Sequence, residues 1–387
     1  MLVGQSGGPT AVINASLAGA ISAARARGYA RVLGMRHGVQ GALAGSLADL
    51  SDLADDALER LKRTPSAALG SCRYKLQPGD AERIVELCRA QGVAAFVYIG
   101  GNDSADTSAQ IARAAAAAGL ELAVVGVPKT IDNDLAGTDH CPGYGSAARF
   151  VAQTTRETAL DTVAMRTTDP IRLIEVMGRH AGWLPGAAWL AKDAPDGAPQ
   201  LVYVPERPVT IERIVSDVRE VYAQQRWCVV VLCENQPMPD GRVIGATGAP
   251  RWVDSFGHRY FDSPAQFLAQ RLQAELGVRV RFDKPGTIQR MATAYVSRTD
   301  RDEAELVGRT AVDLASAGTS GVMVSLEREP GAEYRIRTGT VALEIVANQQ
   351  KRLPDEFIAL DAAGMTSAFV TYATPLIGDP LPQFQTL

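Results

Sequence analysis

Residues 94–107 read AAFVYIGGNDSADT. The run Ala94 to Ile99 is short, apolar and rich in aromatic and β-branched side chains, as a strand covered on both faces should be. Gly100 and Gly101 break it, and the alanine-rich stretch Ala105 to Ala118 follows, closed by Gly119. That is one strand–turn–helix unit, with Gly119 as its helix stop. A glycine pair before a helix N-terminus leaves backbone amides free to hold an anion. Asp103 stands in the same turn and would repel that anion, so its presence needs a reason.

The same rhythm extends outward along the chain. Leu2-Val3, Leu122 to Val127, Leu173 to Met177 and Val229 to Leu232 are compact apolar runs. Between them lie helix candidates beginning near Thr10, from Asp80 to about Ala90, and at Gly145 to Met165, Ile211 to Gln225, Ala265 to Leu276 and Arg301 to Ala317. Alternating strands and helices predict an α/β fold of mainly parallel, doubly wound sheets. With 387 residues the chain is expected to build two modest cores rather than one. Each strand run is followed by an unusual motif: GQSGGPTAVINA, GGNDSADT, PKTIDND, MGRHAG and Cys233-Glu234-Asn235. Doubly wound folds bind ligands at that carboxyl edge.

Composition narrows the classes of partner. A net charge of -4 without a long basic run argues against nucleic acid. No apolar stretch is long and uncharged enough to span a bilayer, and Met1-Leu2-Val3 enters GQSGG without a signal-peptide pattern, so no membrane partner and a cytoplasmic location are expected. The five cysteines are scattered and odd in number, and the four histidines lie far apart, so neither disulfides nor zinc spacing is indicated.

Taken singly, most motifs admit two readings. Gly7 and Gly8 could cradle a phosphate or let a helix pack closely on a strand. The loop Gly70-Ser71-Cys72-Arg73-Tyr74-Lys75 is either a solvated loop or a phosphate contact if it faces the same crevice. Asp132 and Asp134 flank Asn133 in PKTIDND, where acids commonly cap turn amides; the alternative is a base for an attacking hydroxyl beside an acid that supports Mg²⁺ or a polarising water. Gly178 and Arg179 offer close backbone approach and a planar cationic fork. Glu234 could accept from sugar hydroxyls or simply end its strand. Arg281 to Arg290 holds three cations, enough for a phosphate monoester, or forms a charged hairpin.

Together these residues resemble the phosphofructokinase family. SGG, GSxR, the glycine pair with its acidic loop, TIDND, EVMGR (Glu175 to Arg179) and IQR (Ile288 to Arg290) occur in the family's order and approximate spacing. The resemblance implies two doubly wound Rossmann-like domains with the active site in the cleft between them. Residues 1–137 plus part of 255–300 are expected to form the phosphoryl-donor domain. Residues 138–254 plus part of 301–387 are expected to form the fructose 6-phosphate domain with a C-terminal extension; roughly Leu326 to Leu387 resembles the family's core least and is assigned no chemistry.

The resemblance also implies roles. Asp132 looks like the base for the 1-hydroxyl of fructose 6-phosphate, with Asp103, Lys129 and Arg73 completing the catalytic set. Gly8, Gly100 and Gly101 would hold the donor. Thr130, Ile131, Asp134, Met177, Gly178, Arg179, Glu234, Arg281, Thr287 and Arg290 fall where the family binds substrate, Arg281 reaching across from a neighbouring subunit. Asn102 replaces an aspartate that helps hold Mg²⁺, and is expected to share the metal with Asp103, Asp134 and the donor. Pro170 stands where bacterial ATP enzymes have an arginine given to the neighbour, and Arg172 is the candidate replacement. ATP-dependent members have glycine at the positions of Asp103 and Lys129; pyrophosphate-dependent members have Asp and Lys, as here. A carboxylate at 103 charges the space of a nucleotide's α-phosphate, although Asp103 could instead cap its helix. The reaction implied is reversible transfer from pyrophosphate to fructose 6-phosphate by a homodimer or homotetramer. The alternatives are an ATP-dependent enzyme and a catalytically weak sugar-phosphate-binding regulatory subunit.

Overall fold

The computed structural model describes residues 1–246, 248–253, 257, 259–331, 333–360 and 363–385. Among them the strands run β1 Leu2–Gln5, β2 Leu33–Met35, β3 Leu47–Asp49, β4 Ala95–Gly100, β5 Ala123–Pro128, β6 Ile171–Val176, β7 Leu201–Tyr203, β8 Cys228–Cys233, β9 Trp252–Val253, β10 Arg259–Tyr260, β11 Val280–Asp283, β12 Val322–Arg328 and β13 Ile336–Ala342. Two compact units result. One is made of Met1–Tyr144 and Arg290–Lys351, the other of Gly145–Val253, Gly257–Gln289 and Arg352–Leu387.

The first unit is built on one sheet in the order β13-β12-β5-β4-β1-β2-β3. Its pairs are parallel except β2–β3 and β12–β13. Every residue of β1, β4 and β5 is buried, because alternate side chains enter two different layers. Val3, Val97, Ile99 and Val125 pack with Leu17, Ile21, Val307 and Ala311 from the helices Ile13–Ala26 and Arg298–Ser316. Leu2, Phe96, Tyr98 and Val124 pack on the other face with Ile84, Cys88, Ala105 and Ile111 from the helices Asp80–Ala90 and Asn102–Ala117. From β1 the chain builds outward through β2 and β3, then returns on the opposite side of β1 as β4. The edges of β1 and β4 therefore flank a topological switch point, where such sheets bind ligands.

The second unit has the parallel order β11-β6-β8-β7. The helices Ile211–Gln225 and Pro264–Leu276 cover one face through Ile214, Val218, Leu268 and Leu272 against Leu173, Val230 and Leu232. The segment 281–290, for which a hairpin was one reading, instead begins as the parallel edge strand β11. The C-terminal extension packs Phe357 edge-on to Trp183 and to Phe369.

The division differs in detail from the sequence expectation. It falls at Tyr144–Gly145 rather than at 137–138, and of 301–387 only Arg352–Leu387 joins the second unit. The reason is that β12 extends the first sheet beside β5 and carries β13 with it. The expected boundary at 254–255 lies outside the described residues.

Candidate active site

In the first unit the turns at the switch point are laced together by hydrogen bonds to main-chain oxygens. The Ser6 amide donates to Ile99 O at 2.9 Å and the Gly7 amide to Cys72 O at 3.0 Å, while Ser71 Oγ donates to Gly7 O at 2.6 Å. The loop before Arg73 is drawn in by buried amides: Leu69 N donates to Gln5 Oε1 at 3.0 Å, and Ala68 N to Asn14 Oδ1 at 2.9 Å. Half-buried Arg73 therefore belongs to the same loop cluster as Gly8. Lys129 is buried, and its amine donates to Gly8 O at 3.0 Å. A Cβ on Gly8 would lie 2.8 Å from Arg290 Nη1. Arg290, expected at the sugar phosphate, thus sits over the Gly7-Gly8 turn.

Gly101 caps the helix Asn102–Ala117, with no side-chain cap bond. Asp103 is therefore not the cap. It is an exposed acid in the first turn, where the helix dipole favours negative charge. Gly100 O accepts from Lys129 N at 3.1 Å, which joins the glycine pair to the acid loop. Asn102 Nδ2 donates to Val346 O at 2.9 Å and Gln349 O at 3.1 Å. An aspartate there would set a carboxylate against two carbonyl oxygens.

The acid loop is held at several points. Asp132 N donates to Thr130 Oγ1 at 3.1 Å, and Thr130 N to Pro142 O at 3.2 Å. Asn133 has a positive φ of 55°, with Cys141 N donating to its Oδ1 at 2.9 Å. Asp132 is half-buried, whereas Ile131, Asn133 and Asp134 are buried. Asp134 accepts from Gln350 Nε2 at 3.0 Å through its carboxylate and from Lys351 N at 2.7 Å through its carbonyl.

Behind the loop, buried His140 bridges Asp139 at 2.8 Å and Glu303 at 2.6 Å. Burial opposes its charge, yet the hydrogen bonds it donates to Asp139 and Glu303 outweigh it and raise its pKa above the ordinary value. Burial likewise opposes the charge on Asp139, but His140, Arg328 and Lys351 hold its pKa below the usual carboxylate value.

In the second unit MGR follows β6. Met177 N donates to Gln289 Oε1 at 3.2 Å, and Gln289 Nε2 to Gly286 O at 3.0 Å. Gly178 has φ 132° and Arg179 φ 49°, so the backbone here is bent as only a closely held loop permits. Arg179 O accepts from Cys233 Sγ at 3.3 Å, and Glu234 N donates to Val176 O at 2.9 Å. These bonds align Arg179 and Glu234 at neighbouring strand ends.

Glu175 sits behind them, receiving Ala265 N at 3.1 Å, Lys284 Nζ at 2.6 Å and the Ser263 hydroxyl. Glu206 Oε1 receives Gly182 N at 3.0 Å and Leu353 N at 2.9 Å; burial raises its pKa. Arg281 pairs with Asp169 at 2.6 Å, and Thr287 is exposed. Arg172 is committed within its own unit to Asp283 at 2.9 Å and to Asp161.

Sequence reasoning missed Gln289, Glu175, Glu206 and Gln350 as supports of the site. For Gln289 and Glu175 the signal was their place inside IQR and EVMGR. Gln350 had none, since its partner is 216 residues away. Among the described residues no group of three or more His, Cys, Asp and Glu side chains forms a ready metal cage. Such a donor set still fits Mg²⁺, which is commonly bound by one or two carboxylates plus substrate phosphates and water.

A switch point furnished with amides and cations for a phosphate, beside a loop bearing two carboxylates, places the chain among α/β phosphotransferases. It belongs to the phosphofructokinase family, whose model, Phosphofructokinase, matches residues 1–315. It is 43% identical over 388 residues to the pyrophosphate–fructose 6-phosphate 1-phosphotransferase of Xanthomonas campestris pv. campestris (strain B100), spanning 99% of this chain and 92% of the relative. The pyrophosphate-dependent phosphofructokinase of Marinobacter aquaeolei superimposes with a TM-score of 0.89 at 36% identity, over 99% of this chain and 93% of that one. That of Nitrosospira multiformis gives 0.90 at 35%, with the same coverage.

Proposed function

We propose that this chain transfers a phosphoryl group from pyrophosphate to the 1-hydroxyl of fructose 6-phosphate, giving fructose 1,6-bisphosphate and phosphate. The observation that supports it most is Lys129 seated on the Gly8 carbonyl at the switch point, with Asp103 opening the adjacent helix. A fixed ammonium beside the glycine turn favours the short, densely charged donor. The Asp103 carboxylate disfavours a nucleotide whose α-phosphate would approach it.

In this reading Asp132 takes the proton of the 1-hydroxyl as its oxygen attacks phosphorus, and the bridging P–O bond breaks to release phosphate. Lys129, Arg73 and the amides near Gly8, Gly100 and Gly101 stabilise the negative charge on the transferring group, so catalysis is mainly positioning and charge neutralisation. Thr130, Ile131, Met177, Gly178, Arg179, Glu234, Arg281 and Thr287 orient the sugar phosphate, and Arg290 serves either the sugar or the donor. Asp103, Asp134 and the Asn102 Oδ1 are the groups that would hold Mg²⁺. When bound, the ion neutralises the donor's charge. Exchange of one phosphate linkage for another of similar energy makes the reaction reversible.

We also propose a homodimer or homotetramer in the cytoplasm. The edge strand β11 and the exposed Trp252, Val253, Phe282 and Ile288 support self-association, which light scattering on the purified protein would measure. Among the described residues no helix is long and apolar enough to cross a membrane.

The deciding experiment compares pyrophosphate, ATP and polyphosphate as donors at fixed fructose 6-phosphate. Turnover with pyrophosphate alone is expected, and the double variant Asp103→Gly, Lys129→Gly should lose it. Unchanged pyrophosphate use by that variant would overturn the donor reading.

A further inference from the structure

The chain around residue 350 lies far in sequence from the donor and acid loops, yet it touches both. The helix Leu343–Asn348 ends beside the donor helix, where Val346 O and Gln349 O accept the two bonds of Asn102 Nδ2. One residue further on, Gln350 pairs with Leu135 as an isolated antiparallel bridge. Its Nε2 donates to Asp134 Oδ2 at 3.0 Å, and Lys351 N donates to Asp134 O at 2.7 Å. One dipeptide thus holds both the carboxylate and the carbonyl of Asp134, which is only 9% exposed. Lys351 anchors the dipeptide from the other side, its amine donating to Thr138 O at 3.1 Å and Asp139 O at 2.6 Å.

The chemistry of the two side chains suits this arrangement. A carboxylate that is nearly buried takes the orientation its hydrogen-bond partners allow. An amide donor fixes that orientation while leaving the acid its full charge; a lysine or arginine would neutralise it and a glutamate would repel it. At Asn102 the same logic runs in reverse, because two carbonyl oxygens require a donor.

We propose that Gln350 is a positioning residue for phosphoryl transfer. It holds the Asp134 carboxylate in register while the preceding residues fasten the donor loop through Asn102. The inference rests on the reading of Asp134 as the second acid.

The test uses the full-length protein with Gln350→Met, which keeps the length and removes the donor, and Gln350→Glu, which adds a repelling charge. Gln350 is exposed, so both variants are expected to fold with melting temperatures near that of the wild type. The kcat of Gln350→Met should fall about 10–100-fold, as misplacement of a reacting group by an ångström or less does, with the KM for fructose 6-phosphate and for pyrophosphate nearly unchanged. Gln350→Glu should fall further. In an Asp134→Asn background Gln350→Met should add little, because its effect passes through the lost carboxylate. An unchanged kcat, a loss confined to KM, or full additivity in the double variant would overturn the proposal. Wild-type turnover with pyrophosphate tests the functional reading separately, since Gln350 is judged only by ratios to the wild type.

Discussion

The Lys129 amine donates to the Gly8 carbonyl across 3.0 Å, so a side chain from the loop after β5 reaches the turn after β1, past the intervening β4. This contact brings a fixed positive charge to the glycine turn before any substrate arrives. Lys129→Met removes the charge and keeps the bulk. Pyrophosphate-dependent kcat/KM should drop about 10²–10³-fold, the usual loss for one preorganised charge-stabilising donor. Loss of the bond to Gly8 by itself should lower the melting temperature by about 2–4 °C. Steady-state kinetics and thermal unfolding on the same preparation check both.

Gln289 makes the corresponding contact in the second unit. Its side chain joins Met177 N to Gly286 O, so Gln289→Ala frees the MGR loop and leaves a partly buried amide unpaired. The cost should be about 1–3 kcal/mol. It should appear as a raised KM for fructose 6-phosphate with the KM for pyrophosphate unchanged, and a rise in both would argue against a role confined to the acceptor side.

The long, continuously apolar strands were legible because burial on both faces removes polar residues from the sequence. β4 and β5, read as 94–99 and 122–127, are Ala95–Gly100 and Ala123–Pro128. The short β2, β3 and β7 offer three residues each, too few for a period to show, and β13 alternates only weakly between half-buried and exposed positions. The loop motifs after each strand were readable for the same local reason. What sequence could not show were pairings across the chain. The bonds from Asn102 Nδ2 to Val346 O and Gln349 O join residues more than 240 positions apart, and Gln350 belongs to no local motif.

The buried cluster behind the acid loop predicts a pH dependence of stability. His140 is bonded to Asp139 and Glu303, with Tyr334, Arg328 and Lys351 also facing the cluster. Its pKa is raised in the folded state, so the protonated ring's contribution is fully present below the ordinary histidine value and is lost as pH rises through the folded value. Asp139 has a lowered pKa, so its contribution is present above the ordinary aspartate value and is lost as pH falls through the folded one. The melting temperature should therefore decline as pH rises from about 6.5. In His140→Gln that decline should flatten while overall stability is lower. An equally steep decline in the variant would assign the effect to another group.

Asp132 gives the sharpest test of the chemistry. Two bonds that fix its turn, Asp132 N to Thr130 Oγ1 and Thr130 N to Pro142 O, do not use its side chain, so Asp132→Asn changes the side-chain charge and keeps both. An amide cannot take the proton of the attacking hydroxyl. With the loop intact, fructose 6-phosphate should still bind, and its dissociation constant measured by calorimetry should stay near that of the wild type. Turnover should fall about 10²–10⁴-fold, the range for loss of a positioned general base. If the variant kept most of its kcat, the proton would have to leave by another route, and the assignment of Asp132 as base would be wrong even with pyrophosphate confirmed as the donor. If binding were lost together with kcat, Asp132 would be acting in the ground state, as a ligand for the sugar rather than as its base.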